Sequence, residues 1–275
     1  MKYLFKYSFI FLFFLSCENN NEGVTAKNGM VVSAREEASR IGVEVLKKGG
    51  NVFDAMMATE LALAVSYPSA GNIGGGGFMV FRKSDGTTGA LDYRERAPIN
   101  STSDMYLDEN NDIIEGLSMV GGLSVGVPGT IAGIFEAHEK HGTLKVEELI
   151  NPVIELAKNG VIVTENQKNR INDNRKYFQL VNKSRILFDN DFKTNDTIKN
   201  LNLAYTLERI MINGRDEFYR GETAKKLVEF IQSNGGIISM EDLEIYEPVW
   251  RDPIIFNYDG LKIISMSPPS SGGVC

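Results

Sequence analysis

Histidine and cysteine are nearly missing from this sequence, and their scarcity removes several chemistries at once. Its 275 residues include only two histidines, His138 and His141, and only two cysteines, Cys17 and Cys275. Two cysteines cannot build a disulfide framework or a four-cysteine zinc site. Two histidines leave His-dependent catalysis few places to live. A basic surplus is also missing: 29 Lys and Arg stand against 36 Asp and Glu, for a formal charge of −7. Nucleic-acid binders usually carry the opposite balance, so no nucleic-acid partner is expected. No G-x-y period runs through the 27 glycines, which excludes a collagen-like chain. With 43% hydrophobic residues the chain can bury a core, and its length suits one large domain or two modest ones.

A long apolar run is lacking as well. At the N-terminus Lys2 and Lys6 precede the run Phe9–Leu15, only seven residues long. A spanning helix needs about 20. A basic start with a short apolar core reads as a secretory signal. The run ends in Phe14-Leu15-Ser16-Cys17, and the polar stretch 18–22 follows. This resembles a bacterial lipoprotein signal, in which Cys17 becomes the lipidated first residue. It departs from the commonest pattern at Phe14, where that pattern has Leu. An ordinary signal with an incidental Cys17 is the alternative. The expected organisation is a signal over 1–17, a flexible tether over 18–27 and a folded part over 28–275. Lipid on Cys17 would anchor the chain to a membrane without spanning it, after export across the inner membrane of a bacterium, facing the periplasm.

Beyond the tether, hydrophobic spacing alternates between helical and strand periods. Gly29–Ser33 is β-prone. Ala38, Ile41, Val45 and Leu46 share one helical face, which Gly49-Gly50 closes. Asp54 can cap a nearly all-apolar helix over Ala55–Val65, ended by Pro68. Phe78–Phe81 and Gly89–Tyr93 read as strands around Ser84-Asp85-Gly86. Helices are expected near 130–141, 146–159, 164–181, 203–212 and 222–233. Polar Asn172–Thr197 reads as a mobile excursion. Ser239–Asp242 resembles a capping box. Ile254–Tyr258 and Leu261–Met266 make a hairpin around Asp259-Gly260. The sum is one continuous α+β unit. A strand so near the end of a sequence expects more chain to pair and cover it, so a continuation past Cys275 is anticipated.

Three motifs invite readings they do not support. Gly71–Gly77 lacks the spacing G-x-G-x-x-G, and no G-K-[S/T] follows, so neither nucleotide fingerprint is met. Adjacent glycines fit a close approach of two backbones, or of a backbone and a ligand. Gly122-Leu123-Ser124-Val125-Gly126 matches G-x-S-x-G, but a nucleophile elbow needs a helix immediately after it and a His from a distant loop. Here Val127-Pro128-Gly129 follows, in a loop capped by Thr130, and the two histidines lie on the next helix. His138 and His141 stand at i, i+3 rather than the i, i+4 of the helical zinc pair, and no third ligand is evident. They read as surface residues near a helix C-terminus, and no metal or cofactor is implied.

Asp92-Tyr93-Arg94-Glu95-Arg96-Ala97-Pro98 carries more. It closes a strand with two guanidinium groups around a carboxylate. Only Arg offers a planar fork that grips a carboxylate at two points. An acidic protein that holds an anion needs such a local cation. A surface salt-bridge cluster is the other reading of the same residues.

The order of segments along the chain bears on the choice. Gly49–Ala55, Pro68, the run Gly74–Gly77, Asp92–Pro98, Val125–Thr130, Phe218–Gly221, Gly235–Ile238 with Asp242-Leu243, and Pro268–Gly273 occur in one series. Together they resemble the gamma-glutamyltransferase (gamma-glutamyltranspeptidase, glutathione hydrolase) family, over residues 28–275. The resemblance implies the N-terminal-nucleophile hydrolase fold, a four-layer α/β/β/α sandwich, here incomplete. It implies a precursor that cleaves itself into large and small subunits, this chain being the N-terminal portion of the large one. It further implies attack on a γ-glutamyl amide by the new N-terminal Thr of the small subunit. Glutathione and γ-glutamyl peptides would be donors, and amino acids, peptides or water acceptors. By position, Arg94 matches the arginine that binds the substrate α-carboxylate. Glu95 matches its neighbouring acid, in binding or in positioning that arginine. The nucleophilic Thr lies beyond this sequence, so no catalytic residue is assigned within it, and the chain alone is expected to be inactive. Two alternatives remain: a poly-γ-glutamate or acylase-type hydrolase of the same fold, and a non-catalytic amino-acid-binding envelope lipoprotein.

Cys17→Ser is predicted to release the protein from membranes. Fractionation of cells carrying either form checks this, and an unchanged membrane fraction would sink lipidation.

Overall fold

The computed structural model describes residues 23–273. The signal with Cys17, most of the tether, and Cys275 lie outside the described residues. Contacts divide the chain into Met1–Met30 and Val31–Cys275. Of the first unit, residues 23–30 are described and carry no regular element. Gly29–Ser33 forms no strand, contrary to its β-prone composition: among the described residues it has no pairing partner, and β-propensity without a partner strand makes no ladder.

The second unit opens with two helices, α1 (Glu36–Lys47) and α2 (Val52–Ser66). Glu36 and Glu37 in the first turn of α1 and Lys47 in its last complement the helix dipole. The Asn51 side chain caps α2 by accepting from the Phe53 and Asp54 amides, and the Asp54 carboxylate accepts from the Asn51 amide. Asp54 is thus the third residue of a capping box, not the cap, because Asn51 already holds that place. Its other bonds reach across the fold. Fully buried, it accepts from the Thr143 amide at 2.9 Å, the Thr143 hydroxyl at 2.6 Å and the Leu144 amide at 3.3 Å.

A three-stranded antiparallel sheet follows. β1 (Phe78–Arg82) and β2 (Thr88–Asp92) pair from Phe78↔Asp92 to Arg82↔Thr88. Leu91 and Tyr93 on one face pack with Met79 and Trp250 against Met56 of α2 and the buried Ala137. On the opposite face Val80 stays 38% exposed.

Helices α3 (Thr130–His141) and α4 (Val146–Asn159) come next. Gly129, not Thr130, is the N-cap of α3, and Thr130 is already helical. A two-residue strand β3 (Val161–Ile162) leads into α5 (Glu165–Val181), and β4 (Thr197–Ile198) returns to pair with it. Polar Asn172–Thr197 is therefore structured rather than a mobile excursion. Arg175 donates to the carbonyls of Asp189 and Asn190, and Phe178 meets Phe188. Then come α6 (Leu201–Asn213), α7 (Arg215–Tyr219), α8 (Glu222–Ser233) and α9 (Met240–Glu244), the last with its capping box on Ser239.

The third strand of the sheet, β5 (Val249–Arg251), arrives only here and pairs antiparallel with β2. Three residues flanked by prolines gave no readable alternation. β6 (Ile254–Tyr258) and β7 (Leu261–Ser265) form the anticipated hairpin, apart from that sheet. Its apolar side chains are open: Tyr258 is 72% and Leu261 63% exposed. The main core lies among α2, α3, α4, α6, α7 and α8, centred on Met57, Leu61, Ile131, Ile150 and Leu207.

Burial alone would raise the pKa of Asp54, but hydrogen bonds from Thr143, Asn51 and Leu144 outweigh it and hold the group below the usual aspartate value. A depressed folded-state pKa gives stability that is present above the unfolded value of about 3.9 and lost as pH falls through the folded one. Asp54→Asn should cost about 1–3 kcal/mol at pH 7 and flatten the loss of stability below about pH 4. Urea unfolding across that range measures both.

Candidate functional site

Where β2 ends, the chain is held by its own backbone. Tyr93 exchanges amide hydrogen bonds with Gly77 at 3.0 and 3.3 Å, extending the β1–β2 ladder by one pair. The Arg94 amide donates to Asp92 Oδ1 at 3.1 Å, while Asp92 Oδ2 accepts from Arg251 Nε at 2.8 Å. Arg96 and Val127 exchange amide hydrogen bonds at 3.2 and 2.8 Å.

The glycine run packs directly on this segment. A Cβ on Gly76 would stand 2.6 Å from the Tyr93 carbonyl oxygen and 2.7 Å from the Glu95 nitrogen. Only glycine fits there. The Gly75 carbonyl accepts from the amides of Gly129 and Thr130 at 2.7 and 3.0 Å. Its amide donates to Asn72 Oδ1. The run is therefore a close approach of backbones, and the amides of Gly75 and Gly77 are spent within the protein rather than offered to a phosphate.

This frame sets two opposite charges on the surface. Arg94 and Glu95 are both exposed, and among the described residues neither has an ion-pair partner. The Arg94 guanidinium makes one long bond to the Pro269 carbonyl, 3.4 Å, and lies 6.0 Å from the Phe78 ring centre. Arg94 and Glu95 line an open cleft of about 470 Å³ with Gly76, Phe78, Pro269 and Ser271. A cleft of similar size lies beside Gln167 and Phe178, about 480 Å³, so volume does not single this one out. The unpaired charges do. A free guanidinium beside a free carboxylate complements a zwitterion, such as the end of an α-amino acid.

Of the salt-bridge cluster read from Asp92–Pro98, only Asp92 forms an ion pair among the described residues, with Arg251 at 2.8 Å, and the second arginine of the segment is engaged elsewhere. Arg96 donates to the Glu247 carbonyl at 2.6 Å, and its guanidinium lies 5.2 Å from the Tyr246 ring centre. Phe78, Ser270 and Ser271 were not singled out individually from the sequence. Pro268–Gly273 stood out only as one member of an ordered series. Tyr246, whose hydroxyl donates to the Arg94 carbonyl at 2.8 Å, gave no signal.

The remaining motifs stay apart from this cleft. Ser124 sits in a short 3-10 turn, and its hydroxyl donates to the Gly121 carbonyl at 2.7 Å. Neither histidine is the surface residue its position suggested. His138 Nε2 is 2.9 Å from the Leu144 carbonyl and 3.4 Å from Asp54. His141 packs on Phe53 at 4.5 Å between ring centres, with Phe81 and Trp250 edge-on. Burial, then the positive charges of Lys83 and Lys140, lower its pKa and favour the neutral ring. Among the described residues no group of three or more His, Cys, Asp or Glu could hold a metal ion.

Comparison with known proteins gives a consistent result. The family model described as Gamma-glutamyltranspeptidase matches residues 38–275. A "Glutathione hydrolase proenzyme" of Pseudomonas sp. (strain A14) is 44% identical over 255 residues, 91% of this chain and 44% of that protein. The chain thus spans less than half the length of that curated relative. The crystal structure of Helicobacter pylori gamma-glutamyltranspeptidase superposes with a TM-score of 0.88 at 42% identity, covering 91% of this chain and 73% of that one. A cephalosporin acylase from Bacillus halodurans superposes with a TM-score of 0.77 at 27% identity, covering 89% and 47%.

The close approach at Gly76 makes a contrast. Gly76→Ala should cost about 1–3 kcal/mol, because its Cβ meets backbone that cannot rotate away. Gly74→Ala, whose Cβ would meet nothing within 4 Å, should change stability by no more than about 0.5 kcal/mol. Thermal unfolding of the two variants compares them.

Proposed function

Because the chain belongs to the gamma-glutamyltranspeptidase family, we propose that it is the N-terminal portion of the large subunit of a γ-glutamyl-transferring and γ-glutamyl-hydrolysing enzyme. Its donors are glutathione and other γ-glutamyl compounds, and its acceptors are water, amino acids or peptides. The observation that carries this reading is Arg94: an exposed guanidinium without an ion-pair partner among the described residues, aimed over a cleft by a backbone frame. Its fork takes the α-carboxylate of the γ-glutamyl group. Glu95, beside it, faces the α-ammonium or orients the arginine.

The reacting bond lies at the other end of the glutamyl group, and its chemistry belongs to a second subunit. There an N-terminal Thr supplies the hydroxyl that attacks the γ-amide carbonyl, and its own α-amine accepts the proton. The amine of the donor leaves as the acyl-enzyme forms, and an acceptor then displaces the Thr. No histidine is required, in keeping with His138 and His141 being held elsewhere. The role of this chain is to fix the zwitterionic end so that the γ-carbonyl stays within reach of the nucleophile. The exposed apolar side chains of β6 and β7, and Val80 on the open sheet face, support a covering layer from that subunit. The finer claims on location rest on the N-terminal pattern: export, and a lipid on Cys17 that holds the enzyme at a membrane.

The test uses the whole enzyme, with both subunits. Arg94→Lys should raise KM strongly for γ-glutamyl-p-nitroanilide, since lysine keeps the charge but loses the two-point grip. A loss of about 2–4 kcal/mol, roughly 30- to 1000-fold in kcat/KM, is expected. Self-cleavage should survive, because that step involves no free α-carboxylate. Arg96→Ala should be mild. An unchanged KM in Arg94→Lys, or a greater loss in Arg96→Ala, refutes the assignment. Equal turnover of acyl substrates lacking the amino-acid end would favour an acylase instead.

A further inference from the structure

The Arg94 side chain has little to hold it. Among the described residues its one side-chain hydrogen bond, to Pro269, is long, and the Phe78 ring is at the edge of cation–π range. Among the described residues no carboxylate fixes its fork. The direction of the guanidinium is therefore set by the backbone from which it springs. Two of the anchors on that backbone lie beside Arg94, the Tyr93–Gly77 pair and the Arg96–Val127 pair, and a third is its own amide on Asp92. The fourth is on Arg94 too. Its carbonyl accepts the Tyr246 hydroxyl at 2.8 Å, across 152 residues of sequence.

Tyr246 is built to hold still. It is 2% exposed. Its ring stacks on Tyr219 at 5.8 Å between centres and 15° between planes. The Tyr219 hydroxyl donates to the Pro128 carbonyl at 2.9 Å and accepts from the Ala132 amide at 3.2 Å. Arg96 covers the Tyr246 ring, and any side chain at Gly129 would collide with its hydroxyl. Burial raises the pKa of Tyr246, which keeps the hydroxyl protonated as a donor. A rigid donor of this kind fixes the peptide plane that follows Arg94.

We propose that Tyr246 is a positioning residue for the substrate: by holding the Arg94 carbonyl, its hydroxyl sets where the guanidinium fork meets the α-carboxylate. The inference rests on the assignment of Arg94 above. Tyr246 touches no substrate atom and acts only through Arg94. Removing the hydroxyl should therefore weaken ground-state and transition-state binding alike, raising KM and sparing kcat.

The experiment is a double-mutant cycle in the whole enzyme, with γ-glutamyl-p-nitroanilide as substrate and L-glutamate as competing product. Tyr246→Phe keeps the ring and its stack. It should raise KM and the inhibition constant of L-glutamate together, about 3- to 10-fold, with kcat within about twofold. Tyr246→Phe added to Arg94→Lys should raise KM no further than about twofold, since the grip it serves is already lost. If Arg94→Lys leaves KM unchanged, the substrate assignment fails and the inference falls with it. If Arg94→Lys raises KM but Tyr246→Phe does not, only the inference is overturned. Losses that add in the double variant, or a fall in kcat at steady KM, overturn it as well. A Tyr246→Phe protein that does not fold or mature would show the hydroxyl to be a requirement of the fold, and would also overturn it.

Discussion

The structure around the cleft depends on backbone meeting backbone with no side chain between. Gly75, Gly76 and Gly77 bring the entry to β1 against the exit from β2, and Gly75 also receives the first amides of α3. Three segments distant in sequence converge on a few ångströms of main chain. Their polar groups satisfy one another there, as buried backbone must. A side chain at Gly76 would push the Arg94 segment outward and open the ladder beside it. The exposed arginine is thus the outermost member of a rigid stack, which is how a side chain with almost no contacts of its own acquires a defined direction.

Much of this was legible in the sequence, for reasons that can be named. Helices with a clear apolar face and a cap declared themselves: α1 through Ala38, Ile41 and Val45, and α9 through Ser239 and Asp242. Glycines at Gly49, Gly160 and Gly235 take positive φ and mark helix ends at the expected places. The hairpin around Asp259-Gly260 followed from its turn chemistry. What stayed hidden lacked a local signal. β5 is three residues long, and its strand character comes from pairing with β2, not from its own alternation. Polar Asn172–Thr197 looked mobile because its order comes from arginine bonds to carbonyls, which composition does not report.

The cleft shows the same division. Arg94 and Glu95 were legible as a motif, and their family resemblance assigned them a role. That Arg94 is free while Arg96 is engaged depends on Glu247 and Tyr246, some 150 residues away, and no spacing rule reaches that far. The overall charge of −7 sharpens the point. In an acidic protein an arginine left without a carboxylate is costly to keep so, since acidic groups are abundant. The frame fixes the Arg94 backbone where, among the described residues, no acid comes within ion-pair range.

The narrow base of the segment between β3 and β4 has a different consequence. Val161 pairs with Ile198 and Ile162 with Thr197, and Val163 exchanges backbone bonds with Asp196 and Asn195. The neck is not the only tie of the segment that follows it: Ile171, Leu187, Phe188 and Phe192 also pack on the main core, and Arg35 donates to Gln167 of α5. A closed neck separates the geometry of the core from the length of the chain beyond it, and lengthening a closed loop costs only slowly more entropy. The exposed tip Lys183–Arg185 is thus where the chain can be lengthened or re-decorated without disturbing the Arg94 frame. Divergence among relatives should concentrate there, in insertions and deletions, while the glycine run keeps its register.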